Sequence, residues 1–113
     1  MSEKYTEIFR LKDKLDAIDL EHTFNDHTIY IPEANRKREH YQILLYDEDG
    51  DRIVSIVQGE FTYGSNENKL EIMGLLTPEE SECDSVVGYL SADEVYERIM
   101  KYYGEREAVR EQN

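Results

Sequence analysis

The sequence predicts an α+β domain: a single small unit with a four-stranded antiparallel sheet, made of two hairpins, packed with an N-terminal helix and C-terminal helices. Three observations predict it. Apolar residues near the start recur at helical spacing, two alternating runs flank Asp49-Gly50, and two helix-start signatures close the chain. The 113 residues are one domain's worth. Residues 1–104 are expected to form it, with 105–113 as a charged C-terminal tail or helix extension.

Ser2 is placed to cap the first helix, and Tyr5, Ile8, Leu11, Leu15 and Ile18 then mark its buried stripe. "DLEHTFNDHTIYIP" reads as a short hairpin: Leu20, His22 and Phe24 alternate, Asn25-Asp26 turns the chain, and Ile29 and Ile31 lead to the stop at Pro32. "EANRKRE" reads as a loop with the basic cluster Arg36, Lys37 and Arg38. "YQILLYDEDGDRIVSIVQG" is the clearest element, a hairpin around a two-residue type I′ turn at Asp49-Gly50. That register sets Tyr41 opposite Gln58, Ile43 opposite Ile56, Leu45 opposite Val54 and Asp47 opposite Arg52. Ile43, Leu45, Val54 and Ile56 form its core face. The other face, with Gln42, Leu44, Tyr46, Ile53, Ser55 and Val57, is apolar enough to expect cover by another element or a partner subunit.

"ENKLEIM" reads as a short helix stopped by Gly74. Thr77, Pro78 and Glu80 form a capping box with proline at the first helical position. Ser91 and Glu94 repeat the device for the last helix, whose face carries Ala92, Val95, Ile99 and Tyr102 and whose regular pattern ends at Gly104. "DSVVGYL" between the two caps is extended.

Most familiar chemistries lack their residues. In "DEDGD", aligning Gly50 with the sixth position of a calcium loop puts Leu45 and Ile56 at ligand positions, so no calcium site is read. His22, His27, His40 and Cys83 have no zinc-ligand spacing, and no metal or cofactor is expected. No serine elbow is present, and Cys83 lies among acids that disfavour a nucleophilic thiolate. With 26 acidic side chains, any carboxylate pair is uninformative as a catalytic signal. The formal net charge of -13 disfavours direct binding to nucleic acid or acidic membranes and favours basic partners. One cysteine, a charged N-terminus and no long apolar run suit a cytoplasmic protein.

Two features remain as candidate partner-binding groups. One is acidic: Asp47, Glu48, Asp49 and Asp51 at the hairpin tip, with Glu79, Glu80, Glu82 and Asp84 near a helix start. Turn chemistry and helix capping also account for acids at these places. The other is aromatic. There are nine tyrosines and no tryptophan, and Tyr63, Tyr102 and Tyr103 are the interface candidates, with Tyr89 and Tyr96 assigned to the core. Apolar residues on both hairpin faces also point to a homodimer.

The stretch "LEIMGLLTPEESECDSVVGYLSADEVYERI", residues 70–99, resembles uncharacterised small acidic proteins of bacteriophages and prophages of gut Firmicutes. The "DEDGDR" hairpin departs from their shorter form. The resemblance implies no catalytic residues. It implies an accessory protein acting in a host bacterial cell, by analogy an anti-defence inhibitor such as an anti-CRISPR or DNA-mimic protein. The resulting expectation is a non-enzymatic protein that binds a basic, nucleic-acid-binding host protein and occludes its binding surface. Two alternatives stand beside it: an oligomeric protein sequestering a nucleotide signal through Arg36, Lys37 or Arg38, and an enzyme with dispersed carboxylates.

Overall fold

A computed structural model describes residues 2–112, with side chains for residues 2–107, so part of the predicted tail lies outside the described residues. The elements run α1 (Glu7–Ala17), β1 (Thr23–Asp26), β2 (Ile29–Ile31), β3 (Arg36–Arg38), β4 (His40–Tyr46), β5 (Arg52–Gly59), β6 (Leu70–Met73), α2 (Pro78–Cys83), β7 (Val87–Leu90) and α3 (Ala92–Gln112). The class is α+β, but the main sheet has five antiparallel strands, in the order β1-β4-β5-β6-β7, and β2 and β3 make a separate two-stranded ribbon.

The helical stripe of α1 buries Ile8, Leu11 and Leu15, with Tyr5 beside them. Ile18, expected on that stripe, lies past the end of the helix and is 45% exposed. Ser2 caps the turn ahead of the helix instead of α1 itself, its Oγ accepting from the backbone N–H groups of Lys4 and Tyr5. Thr6, at the N-cap of α1, is helical in backbone and makes no side-chain cap. Distant residues replace it. Asn68 Oδ1 accepts from the backbone N–H of Thr6 at 3.0 Å and of Glu7 at 3.4 Å. Gln58 Oε1 accepts from that of Ile8 at 3.0 Å.

The pairs Tyr41–Gln58, Ile43–Ile56 and Leu45–Val54 form as the alternation predicts. The turn differs. Tyr46, not Asp47, pairs with Arg52, and the register shifts between Leu45 and Tyr46, leaving Ile53 as the extra residue of a bulge. Gly50 has φ +83°, whereas Asp49 is not in the left-handed region that a type I′ turn requires of both central residues. The backbone N–H of Gly50 donates to Asp47 O, and Asp47 N–H donates to Asp51 O. This is the three-residue loop in which a single glycine takes the positive φ.

Two more expectations change. "ENKLEIM" is not a helix; Leu70 and Ile72 are buried and Met73 is exposed, the period-two pattern of β6 between β5 and β7. The Leu20–Ile31 hairpin does not form. β1 pairs with β4, and β2 pairs with β3 across a 3₁₀ turn at Pro32–Ala34 closed by Asn35 at φ 47°. Arg36, Lys37 and Arg38 are therefore strand residues and not a loop.

Both C-terminal capping boxes form. Thr77 Oγ1 accepts from Glu80 N–H and Glu80 Oε1 from Thr77 N–H, with the same exchange between Ser91 and Glu94. α3 buries Ala92, Val95 and Ile99 and packs on α1, and α1 lies over β4 and β5. The helix does not stop at Gly104, which lies inside it with open space around its Cα. On the far face of the sheet Ser55 is buried and accepts from Gln42 Nε2 at 3.0 Å, Leu44 and Val57 are half-buried, and Tyr46 and Met73 are exposed.

Candidate functional site

The hairpin tip and the later turns of α3 meet in a cleft of about 300 Å³. Three tyrosines line it. Tyr46 ends β4, and Tyr102 and Tyr103 come from α3. The rings of Tyr102 and Tyr103 meet edge to face, 5.2 Å between centroids. Tyr103 also packs on the core, and burial raises its phenol pKa. Tyr46 is 47% exposed.

Among the described residues that line the cleft, Glu21, Asp47, Glu48 and Glu107 are acidic and Arg106 is basic. Arg106 follows Tyr102 by one helical turn. Its guanidinium sits 5.6 Å from the Tyr102 ring centroid and donates to the Tyr102 hydroxyl at 2.7 Å. That hydrogen bond, then the charges of Asp47 and Asp49, raise the guanidinium pKa.

The tip acids divide by role. Asp47 Oδ1 accepts from the backbone N–H groups of Asp49 and Asp51, each at 2.9 Å, so this carboxylate builds the turn as well as facing the cleft. Asp49 and Asp51 are exposed. Of the second acidic group, Glu80 is a structural residue: its two oxygens take both terminal nitrogens of Arg98 at 2.7 Å. Arg98 first, then the Thr77 backbone, bring the Glu80 carboxyl down to about 2. Asp84 Oδ1 accepts from Ser85 N–H, and Glu79, Glu82 and Cys83 are exposed on α2. None of these four lines the cleft.

The other candidates lie elsewhere. Tyr63 is 55% exposed and belongs with Tyr89 to a separate depression; Tyr89, assigned to the core from the sequence, is 59% exposed. On the ribbon, Arg36 pairs with Glu60 and Arg38 lies 5.7 Å from the Phe61 ring centroid, while Lys37 takes the opposite face with Tyr30. His27 and His40 stand 5.9 Å apart, and burial with the neighbouring His27 lowers the His40 pKa. His22 is bonded to Leu20 O. Among the described residues no three His, Cys, Asp or Glu side chains are grouped to hold a metal ion.

Tyr46, Arg106, Glu21 and Glu107 line the cleft without being among the candidates the sequence singles out. Tyr46 was grouped with the sheet's far face, and only the bulge and the approach of α3 show what it meets. Arg106 falls in the segment read as a charged tail or helix extension, and with the helix continuing past Gly104 it stands four residues after Tyr102, a legible pair.

Compared with known protein families, curated proteins and solved structures, the chain matches none. No described helix is long and apolar enough to cross a membrane.

Proposed function

We propose that the protein is a non-enzymatic binding protein whose acidic, tyrosine-lined cleft docks a basic segment of a partner. The observation that carries this reading is the convergence of Tyr46, Tyr102 and Tyr103 with the carboxylates Glu21, Asp47, Glu48 and Glu107. Tyrosine contributes contact area at low entropic cost and keeps its hydroxyl wet. The carboxylates steer a cationic segment in and reject acidic ones. A net charge of -13 extends the same selectivity over the molecule. The partner is a basic, nucleic-acid-binding host protein whose binding surface is occluded, and the resemblance to phage proteins supplies the bacterial cytoplasm as context and anti-defence as the purpose.

The test is a titration with an arginine-rich peptide and an acidic control, followed by fluorescence anisotropy. Affinity should fall by about tenfold or more between low and molar salt, because exposed charges more than a few Å apart are screened there. Asp49→Asn with Asp51→Asn should weaken binding in low salt. Affinity that survives molar salt, or equal binding of the acidic peptide, refutes the charge-led reading.

A further inference from the structure

We propose that a second cleft, between the chain entering α2 and the middle of α3, binds a small acid that carries one carboxylate on a compact apolar body, with the free edge of the Arg98 guanidinium as its receptor. Tyr102 lines both clefts, but this site does not depend on the docking function proposed above.

Arg98 is held in place before any ligand arrives. Its Nη1 donates to Leu75 O at 2.9 Å and to Glu80 Oε1 at 2.7 Å, and its Nη2 donates to Glu80 Oε2 at 2.7 Å. Leu75 makes its bond from φ 56°, a left-handed backbone that a bulky side chain rarely adopts and that survives only where the surroundings fix it. A guanidinium has five N–H donors, and three are used in these bonds. The two left over are Nε–H and the outer hydrogen of Nη2. They point the same way along one edge of the plane, the fork that takes both oxygens of a carboxylate. Among the described residues neither has an acceptor.

The cleft beside Arg98 holds about 360 Å³, near the small end of the range of about 300–1,000 Å³ for ligand pockets. Leu75, Leu76, Pro78 and Tyr102 give it an apolar wall, and Lys101 lies on the same helix face as Arg98, one turn further on. Charge limits the occupant to one carboxylate. Glu80 already offsets Arg98, which leaves Lys101 to offset the incoming group. Glu105 lines the same cleft and Glu94 acts on Arg98 at longer range, so a second negative charge is repelled.

The experiment titrates the full chain with isocaproate, its neutral amide, glutarate and acetyl-Gly-Gly-Leu, following backbone amides and the Arg98 Nε–H by NMR. Isocaproate should bind with a Kd on the order of 1 mM, move the Nε–H downfield and shift the amides around Leu76 and Lys101. The amide and glutarate should bind about fivefold more weakly or worse. Lys101→Gln leaves the anchors of Arg98 intact and should weaken isocaproate about threefold, whereas Lys37→Gln on the distant ribbon should leave it unchanged. Arg98→Lys keeps the charge without the fork and should remove saturable binding. A melting curve checks that this variant is folded; if it is not, the Nε–H shift and Lys101→Gln decide. Equal binding of acid and amide, or an Nε–H that stays in place at saturation, overturns the proposal. Tighter binding of acetyl-Gly-Gly-Leu than of the free acid overturns the small-molecule occupant in favour of a polypeptide end. None of these results bears on basic-peptide binding at the tyrosine cleft, so the two readings fail separately.

Discussion

Gln58→Leu tests whether the first turn of α1 depends on residues far along the chain. Gln58 is fully buried, and its Oε1 takes the backbone N–H of Ile8, which is itself buried. Its Nε2 donates to Asn68 Oδ1 at 2.7 Å, and Asn68 Nδ2 donates to Thr6 Oγ1 at 2.6 Å. Leucine keeps most of the volume but offers no acceptor. The Ile8 N–H is then left without its partner in a dry place, a cost of about 1–3 kcal/mol, and a net hydrogen bond of about 1 kcal/mol is lost with it. The expected loss is about 2–4 kcal/mol, read from urea unfolding followed by far-UV circular dichroism, with a melting point lower by roughly 10 °C. Asn68 separates backbone from cap. It sits at φ 55°, so Asn68→Gly loses only the cap, whereas Asn68→Ala adds left-handed strain of about 1–2 kcal/mol. A Gln58→Leu loss below about 0.5 kcal/mol, less than one net hydrogen bond, would show that the Ile8 N–H finds another acceptor and would refute the reasoning.

Two further outcomes follow from the C-terminal half. Glu80 has a folded pKa of about 2 against an ordinary 4.5, so its contribution is complete above the ordinary value and is lost as pH falls from there toward 2. With both partners about a quarter exposed, screening reduces that contribution to about 1–2 kcal/mol, and Arg98→Met should flatten this part of a stability-versus-pH curve. Gly104→Ala should raise stability by about 0.5–1 kcal/mol, because the position is helical with nothing near an added Cβ; a lower melting point would place the end of the helix at Gly104.

What was legible in the sequence shares one property: the interacting groups lie a few residues apart or face each other across one turn. The boxes Thr77–Glu80 and Ser91–Glu94, the buried stripe of α1 and the Ile43–Ile56 register are all of this kind. The errors arise where local patterns are degenerate. Leu70 and Ile72 fit a strand, but four residues before a glycine also fit the end of a helix, and only pairing with Ile56 and Val87 decides. Thr23–Asp26 has strand character, yet nothing local says that it joins β4 and not Ile29–Ile31.

The candidate site divides in the same way. Its residue types, acids at the hairpin tip and tyrosines on the last helix, could be singled out from the sequence as groups suited to binding. That Tyr102 and Tyr103 stand beside Asp47 and Glu48, with Arg106 held on Tyr102, is a decision of tertiary structure. By itself, the sequence determined the charge, the α+β class, both C-terminal helix starts and the central hairpin, since each is governed by short-range sterics and hydrogen bonding. Tertiary structure alone decided the fifth strand, the cap that Gln58 and Asn68 provide for α1, and the cleft, since each depends on chain segments brought together by burying a common core.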